Sequence, residues 1–124
     1  VLGIDVDAKK LMMLDKRLSP FHDEAVSKQL SVAKNIVFGA EFNGVADAEI
    51  VIICVPTPVR EGYIPDLSLV ENAVKAAAPY MRTGQLIILE STVNQGVAKD
   101  VFLPILEQDT SLKVVRDIYL AHLP

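Results

Sequence analysis

One cysteine, no tryptophan and six glycines stand among the 124 residues of this chain. A lone Cys54 excludes an internal disulfide and any multi-cysteine zinc site. Basic charge is also short: 12 Lys and Arg face 16 Asp and Glu, a net charge of −4. The pI near 5.1 argues against a general nucleic-acid binder, which needs a basic face to displace counterions. The longest unbroken apolar run is Ile50–Pro56, far short of the ~20 residues that span a bilayer. No basic segment leads into an apolar stretch at the amino end, so a signal peptide is not expected. These absences point to a cytoplasmic protein with neither nucleic acid nor membrane as partner. Internal repeats, low-complexity segments and an interdomain linker are missing as well.

Hydrophobic residues make up 51% and charged residues 23%, an ordinary globular composition. It excludes a disordered tail, a collagen-like repeat and a disulfide-dense scaffold. The length allows one domain. A mean hydropathy of +0.34 suggests strands buried on both faces.

Along the chain, Val1–Asp5 reads as a short strand, and Asp7 caps a helix from Ala8 to about Arg17. Ser19-Pro20 breaks it. A second helix covers roughly Glu24–Lys34, with Asp23-Glu24 as acidic enrichment at its start. Ile36–Phe38 is a minimal strand, and Ala40–Ala48 holds a short helical turn. Glu49–Val55 is the clearest strand, stopped by Pro56. A turn-rich loop, Pro56–Pro65, leads to a helix capped by Asp66 or Ser68 and running to about Met81. Gly84 closes that helix. Gln85–Glu90 is a buried strand, Val97–Leu106 a helix that Pro104 kinks or shortens, and Val114–Leu120 a last strand. Strands separated by helical segments predict a parallel α/β sheet with flanking helices and ligand at the carboxyl ends of the strands.

The strand ends are therefore where chemistry is sought. Asp5 ends the first strand; a carboxylate there can hydrogen-bond a vicinal ribose diol, or it can merely start a turn with Asp7. Val55-Pro56-Thr57-Pro58 stiffens the backbone and presents one hydroxyl, as an ordinary proline-rich turn also would. Glu90-Ser91-Thr92 places hydroxyls ahead of a helix, where they suit a polar ligand or act as caps. Glu90 leaves a buried strand, and burying a carboxylate without a partner is costly. His22 and His122 show no ligand spacing and read as surface or core residues. Cys54, inside the most apolar strand, reads as a small buried hydrophobe, and Met12-Met13 as core. No metal motif, serine–histidine–acid set or phosphate-binding P-loop is visible.

Taken in order, Gly3-Ile4-Asp5-Val6-Asp7, Ser19-Pro20-Phe21-His22-Asp23-Glu24, Val55-Pro56-Thr57-Pro58, Pro65-Asp66-Leu67-Ser68-Leu69-Val70-Glu71, Leu89-Glu90-Ser91-Thr92-Val93 and Tyr119-Leu120-Ala121-His122 form a specific set. The chain resembles the amino-terminal NAD-binding domain of the UDP-glucose/GDP-mannose dehydrogenase family. It looks closest to the branch acting on UDP-N-acetylhexosamines, such as UDP-N-acetylmannosamine dehydrogenases. The resemblance implies NAD as cofactor and a UDP-sugar as substrate of the parent enzyme. In that family the C6 alcohol of a nucleotide sugar is oxidised to a carboxylate with two NAD+ and one water, here for surface polysaccharide, and the parent is expected to be a homo-oligomer.

Carried over residue by residue, the resemblance implies that Asp5 binds the adenosine ribose with Lys10 nearby, and that Thr57 and Pro58 contact the cofactor. It places Thr92 near the nicotinamide, helping to orient the water of the second oxidation, with Ser91 and Glu90 supporting that loop. It further implies a Rossmann-like sheet lacking its first strand and glycine-rich loop, so that residues 1–124 are a partial NAD-binding domain. The family's catalytic cysteine, lysine and asparagine lie outside this chain, and Cys54 is not that nucleophile. Such a fragment is expected to bind NAD poorly and to catalyse nothing alone. Its strand edges are expected either to be repaired by new pairing or to belong to a larger chain. The other readings are the NAD-binding half of a 3-hydroxyacid or 6-phosphogluconate dehydrogenase, and a non-enzymatic α/β regulatory module.

Overall fold

The computed structural model describes residues 1–61, 64–92 and 96–123. Expectations placed on Gly62, Val93 and Pro124 lie outside the described residues. The chain divides into two compact units, Val1–Phe42 and Asn43–Pro124.

In the first unit, β1 (Leu2–Ile4), α1 (Ala8–Asp15), α2 (Glu24–Val32) and β2 (Val37–Gly39) follow in order. The strands pair in parallel, Gly3 opposite Phe38. A Cβ on Gly3 would lie 2.9 Å from the Phe38 ring, so this close approach requires glycine. The Arg17 guanidinium lies 5.8 Å from the other party to that contact, the Phe38 ring centroid, and donates to the Ile36 carbonyl at 3.1 Å. Asp7 caps α1 by accepting from the Lys9 and Lys10 amides at 2.8 and 3.3 Å, and Asp23 caps α2 from the Val26 amide. Both caps satisfy amides that a helix start leaves unpaired. Met12 and Met13 are exposed, not core as expected; α1 buries none of its residues within the chain.

The second unit begins with a 3-10 turn, Asn43–Asp47, and continues through β3 (Ile50–Ile53), β4 (Val59–Arg60), β5 (Ile64–Pro65) and α3 (Ser68–Ala77). A 3-10 turn, Ala78–Tyr80, β6 (Leu86–Leu89), a π-helical turn at Ala98–Phe102, α4 (Leu103–Asp109) and β7 (Tyr119–His122) complete it. The sheet order is β3-β6-β7, all parallel. Together with the first unit this is a Rossmann-like α/β architecture of parallel sheets flanked by helices. Its described strands form a two-stranded and a three-stranded parallel sheet and an antiparallel pair, β4–β5, not one continuous sheet of six.

Side-chain alternation puts Ile53, Ile87 and Leu89 on one face of the β3-β6-β7 sheet. They are buried, as are Val70, Val74, Phe102 and Leu106 of the helices. Each such side chain contributes about 1.5–3 kcal/mol by leaving water. The opposite face is open: Ile50 is 55% exposed, Ile52 53% and Tyr119 59%. The high mean hydropathy therefore does not reflect strands covered on both faces within this unit. Cys54 is exposed as well, correcting the buried reading.

Three further differences from the sequence reading have local causes. The loop after β3 contains the antiparallel hairpin β4–β5, a pairing that its proline content hid. Pro104, which has no N–H to donate to a carbonyl four residues back, is accommodated by the π-helical turn just before it. The last strand starts later than expected because Lys113–Asp117 is folded into a turn. There Val115 has φ 74°, and Asp117 accepts from the Lys113 amide at 2.8 Å. The bidentate contact from Arg116 and that amide bond hold the Asp117 carboxyl below the usual carboxylate range.

Gln85 joins the sheet to the turn before β3. Its side chain is fully buried; Nε2 donates to the Val45 and Ala48 carbonyls at 2.7 and 2.8 Å, and Oε1 accepts from the Arg82 amide at 2.8 Å. Replacing it by leucine leaves the Arg82 amide without its partner and reduces the Val45 and Ala48 carbonyls to the bonds they accept from the Ala48 amide and the Arg82 guanidinium, at about 1–3 kcal/mol for an unsatisfied group. Gln85→Leu is expected to lower the stability of this unit by about 1–3 kcal/mol, measured as faster native-state hydrogen exchange at the Ile87 and Ile88 amides. Unchanged exchange would contradict the role given to Gln85.

Candidate functional site

In a parallel sheet every strand delivers its following loop to the same end, so the candidate chemistry is sought after β1 in the first unit and, separately, after β3 and β6 in the second. After β1, Asp5 accepts from the Asp7 amide through Oδ1 at 2.8 Å. Its Oδ2 lies 3.5 Å from Lys10 Nζ, with the two side chains 35% and 41% exposed. The structure thus brings these two sequence-selected residues together. A carboxylate this accessible retains lone pairs for further donors, so an exposed diol can be accepted beside the ammonium.

After β3 and β6, the structure brings together Thr57, Ser91 and Thr92. Thr57 Oγ1 donates to the Thr92 carbonyl at 2.8 Å, and Ser91 Oγ donates to the Val55 carbonyl at 2.9 Å. Ser91 is buried, at 6% exposure, while Thr92 and Pro58 are exposed. Glu90 is exposed too, so the cost of burying a carboxylate that drew attention to it does not arise. Its amide still closes the ladder, donating to the Ile53 carbonyl at 2.8 Å.

Pro58 is held through the hairpin that follows it. Its carbonyl accepts from the Asp66 amide at 2.7 Å, and the Asp66 carboxylate pairs with Arg60 at 2.8 Å and accepts from the Ser68 amide at 3.0 Å. Asp66 therefore bonds the first amide of α3 from one residue ahead of the cap; the cap position itself is Leu67, which makes no side-chain cap bond, so neither Asp66 nor Ser68 is the expected N-cap. Sequence reasoning had not given Arg60 a part; an arginine six residues before an aspartate across a short hairpin was the available signal.

His122, set aside in the sequence reading, ends β7 opposite Leu89. Its Nε2 is buried without a hydrogen-bond partner among the described residues. The sheet end thus contains a polar atom whose partner is not found there.

With this geometry in view, the whole chain, residues 1–124, matches the UDP-glucose/GDP-mannose dehydrogenase family, NAD binding domain. The chain belongs to that family. It is 31% identical over 128 residues to the UDP-N-acetyl-D-mannosamine dehydrogenase of Pyrococcus horikoshii, covering 100% of this chain and 30% of that protein. It is 27% identical over 124 residues to the UDP-N-acetyl-D-glucosamine 6-dehydrogenase of Salmonella typhi, covering 100% of this chain and 29% of that one. Among solved structures, a UDP-D-ManNAc dehydrogenase from Pyrococcus horikoshii superposes with a TM-score of 0.87 at 27% identity, over 98% of this chain and 29% of that one. The chain thus spans about three tenths of the length of the curated relatives it matches. The cofactor of this domain family is NAD. No helix among the described residues is long and apolar enough to cross a membrane.

Hydrogen bonds from the Ser68 hydroxyl and amide, reinforced by Arg60, lower the Asp66 carboxyl from 3.8 to about 2. A depressed folded pKa favours the ionised form, so its stabilising contribution is present above pH 3.8 and lost as pH falls through about 2. Titration followed by carboxyl NMR should place Asp66 well below the other aspartates, and Ser68→Ala should move it upward toward 3.8. An unshifted Asp66 would refute the clamp.

Proposed function

We propose that this chain is the NAD-binding part of a nucleotide-sugar 6-dehydrogenase that oxidises the C6 alcohol of a UDP-N-acetylhexosamine to the uronate. The observation that carries this reading is the match of the whole chain to the family's NAD binding domain. The names of the relatives, acting on UDP-N-acetyl-D-mannosamine and UDP-N-acetyl-D-glucosamine, favour an acetamido sugar. The parent protein is proposed to be a cytoplasmic homo-oligomer working toward surface polysaccharide, without nucleic-acid or membrane partners.

The residues present suit the cofactor. Asp5, accessible and beside Lys10, accepts hydrogen bonds from the adenosine ribose hydroxyls; its negative charge disfavours an added phosphate there. Thr57 and Pro58 form a stiff wall for the cofactor, with Thr57 retaining lone pairs after donating its proton. Thr92 presents an exposed hydroxyl toward the nicotinamide end, where it can orient a water by hydrogen bonding. Ser91 supports that loop, its own hydroxyl engaged with the Val55 carbonyl. His122 Nε2, without a partner among the described residues, is a further polar group at the carboxyl end of β7. Bound NAD+ supplies the hydride acceptor; positioning and exclusion of water are the work of the chain.

The full-length protein should release two NADH for each UDP-N-acetylhexosamine consumed, counted at 340 nm against uronate formed; one NADH per sugar would reject this reaction. Asp5→Asn should weaken NAD+ binding by about tenfold, ~1.4 kcal/mol, in isothermal calorimetry. It should affect NADP+ less, because the lost charge opposes the extra phosphate. Equal weakening of both would remove Asp5 from the ribose site.

A further inference from the structure

Ser91 and Thr57 make reciprocal bonds. The Ser91 hydroxyl crosses from the loop after β6 to the Val55 carbonyl in the loop after β3. The Thr57 hydroxyl crosses in the opposite direction, to the Thr92 carbonyl. Both begin where the parallel ladder stops: the Glu90 amide bond to the Ile53 carbonyl is the last backbone pairing between the two strands. Beyond that point strand twist would let the loops diverge, and two side-chain hydroxyls continue the cross-links that the backbone no longer makes.

A serine hydroxyl has one proton to donate, and that of Ser91 is spent on Val55. At 6% exposure the side chain also offers almost no surface to a ligand. Thr92 differs on both counts: its carbonyl is taken by Thr57, but its side chain is exposed. We infer that Ser91 is a positioning residue and not a cofactor contact, and that with Thr57 it fixes the spacing of the two loops and so the place of the Thr92 hydroxyl. This rests on the dehydrogenase reading given under Proposed function and specifies how the support of Ser91 is exerted.

A purely packing role would need only the volume of Ser91. A positioning role needs its donor. Methyl-for-hydroxyl replacement and restoration of the hydroxyl therefore separate the two.

The test uses the full-length enzyme. Wild-type protein is first titrated with NAD+ by calorimetry; absence of binding overturns the dehydrogenase reading itself. Given wild-type binding, Ser91→Ala should lower kcat about ten- to a hundredfold, the scale of a misplaced reacting group. The KM for the UDP-sugar should stay within about twofold of wild type, because uniform substrate binding is untouched. Ser91→Thr, which keeps the hydroxyl, should restore most of the lost kcat. Thr57→Val should show the same split and Thr57→Ser should be mild. The double variant Ser91→Ala/Thr57→Val should fall little below the worse single one, since a shared spacing is lost only once.

Wild-type kcat in Ser91→Ala would overturn the inference while leaving the dehydrogenase reading intact. So would full additivity in the double variant, or a Ser91→Thr enzyme no better than Ser91→Ala. If Ser91→Ala does not fold, the Thr57→Val and Thr57→Ser pair decides: equal activities of the two overturn the inference, and a loss confined to valine supports it.

Discussion

The sheet of the second unit depends on β6 being tied at both ends to the chain segments around β3. Among the described residues, the buried polar side chains are Gln85 and Ser91, and they bracket β6. Gln85, just before the strand, binds the Val45 and Ala48 carbonyls that precede β3. Ser91, just after it, binds the Val55 carbonyl that follows β3. Parallel strands cannot be joined by a tight turn, so neither end of this pairing is secured by chain connectivity. Two polar side chains do that instead. Burial makes each bond consequential, because an unpaired partner in such a place bears the full desolvation cost.

The two ends are tied by different chemistry. At the amino end the amide of Gln85 uses two donors and its acceptor, and Arg82 adds bonds to the Ala46 and Ala48 carbonyls at 2.6 and 3.3 Å. A dense set of bonds fixes that end. At the carboxyl end single hydroxyls suffice, one in each direction. A hydroxyl that has donated its proton still accepts, so this end is held without becoming chemically closed. The same sheet thus has a densely bonded end and a sparsely bonded one, and the sparse end is the one beyond which the rule for open parallel sheets puts ligands.

How much of this could be read in advance depended on the range of the interaction. Helix starts were legible because Asp7 and Asp23 cap within three residues of themselves. The apolar runs at Ile50–Ile53 and Leu86–Leu89 marked β3 and β6 for the same local reason. Thr57 and Ser91 were singled out by ordered motifs, whereas the cross-loop bonds that bring them together span 35 or 36 residues and leave no periodic trace. Gln85 was invisible in this way: a glutamine at a strand edge looks like a solvated residue, and only the distant carbonyls of Val45 and Ala48 give it a buried role. Cys54, Met12 and Met13 failed for another reason. Apolar type was taken as burial, although a large part of any folded surface is apolar.

That distinction bears on the sheet itself. Ile53 and Ile52 are neighbours of the same type, yet one is 6% exposed and the other 53%. Alternation along a strand assigns them to opposite faces, and α3 packs against β3 from the buried one. A strand meant to face water on one side would alternate apolar with polar residues; Ile50-Val51-Ile52-Ile53 does not. Its composition is that of a strand covered twice, while its geometry in this unit covers it once. Binary pattern is selected against the final environment of each face, so the isoleucines of the open face record a burial that the residues of the second unit do not themselves supply. The apolar composition of β3 thus exceeds what the helices of the second unit cover, which is one face of the strand.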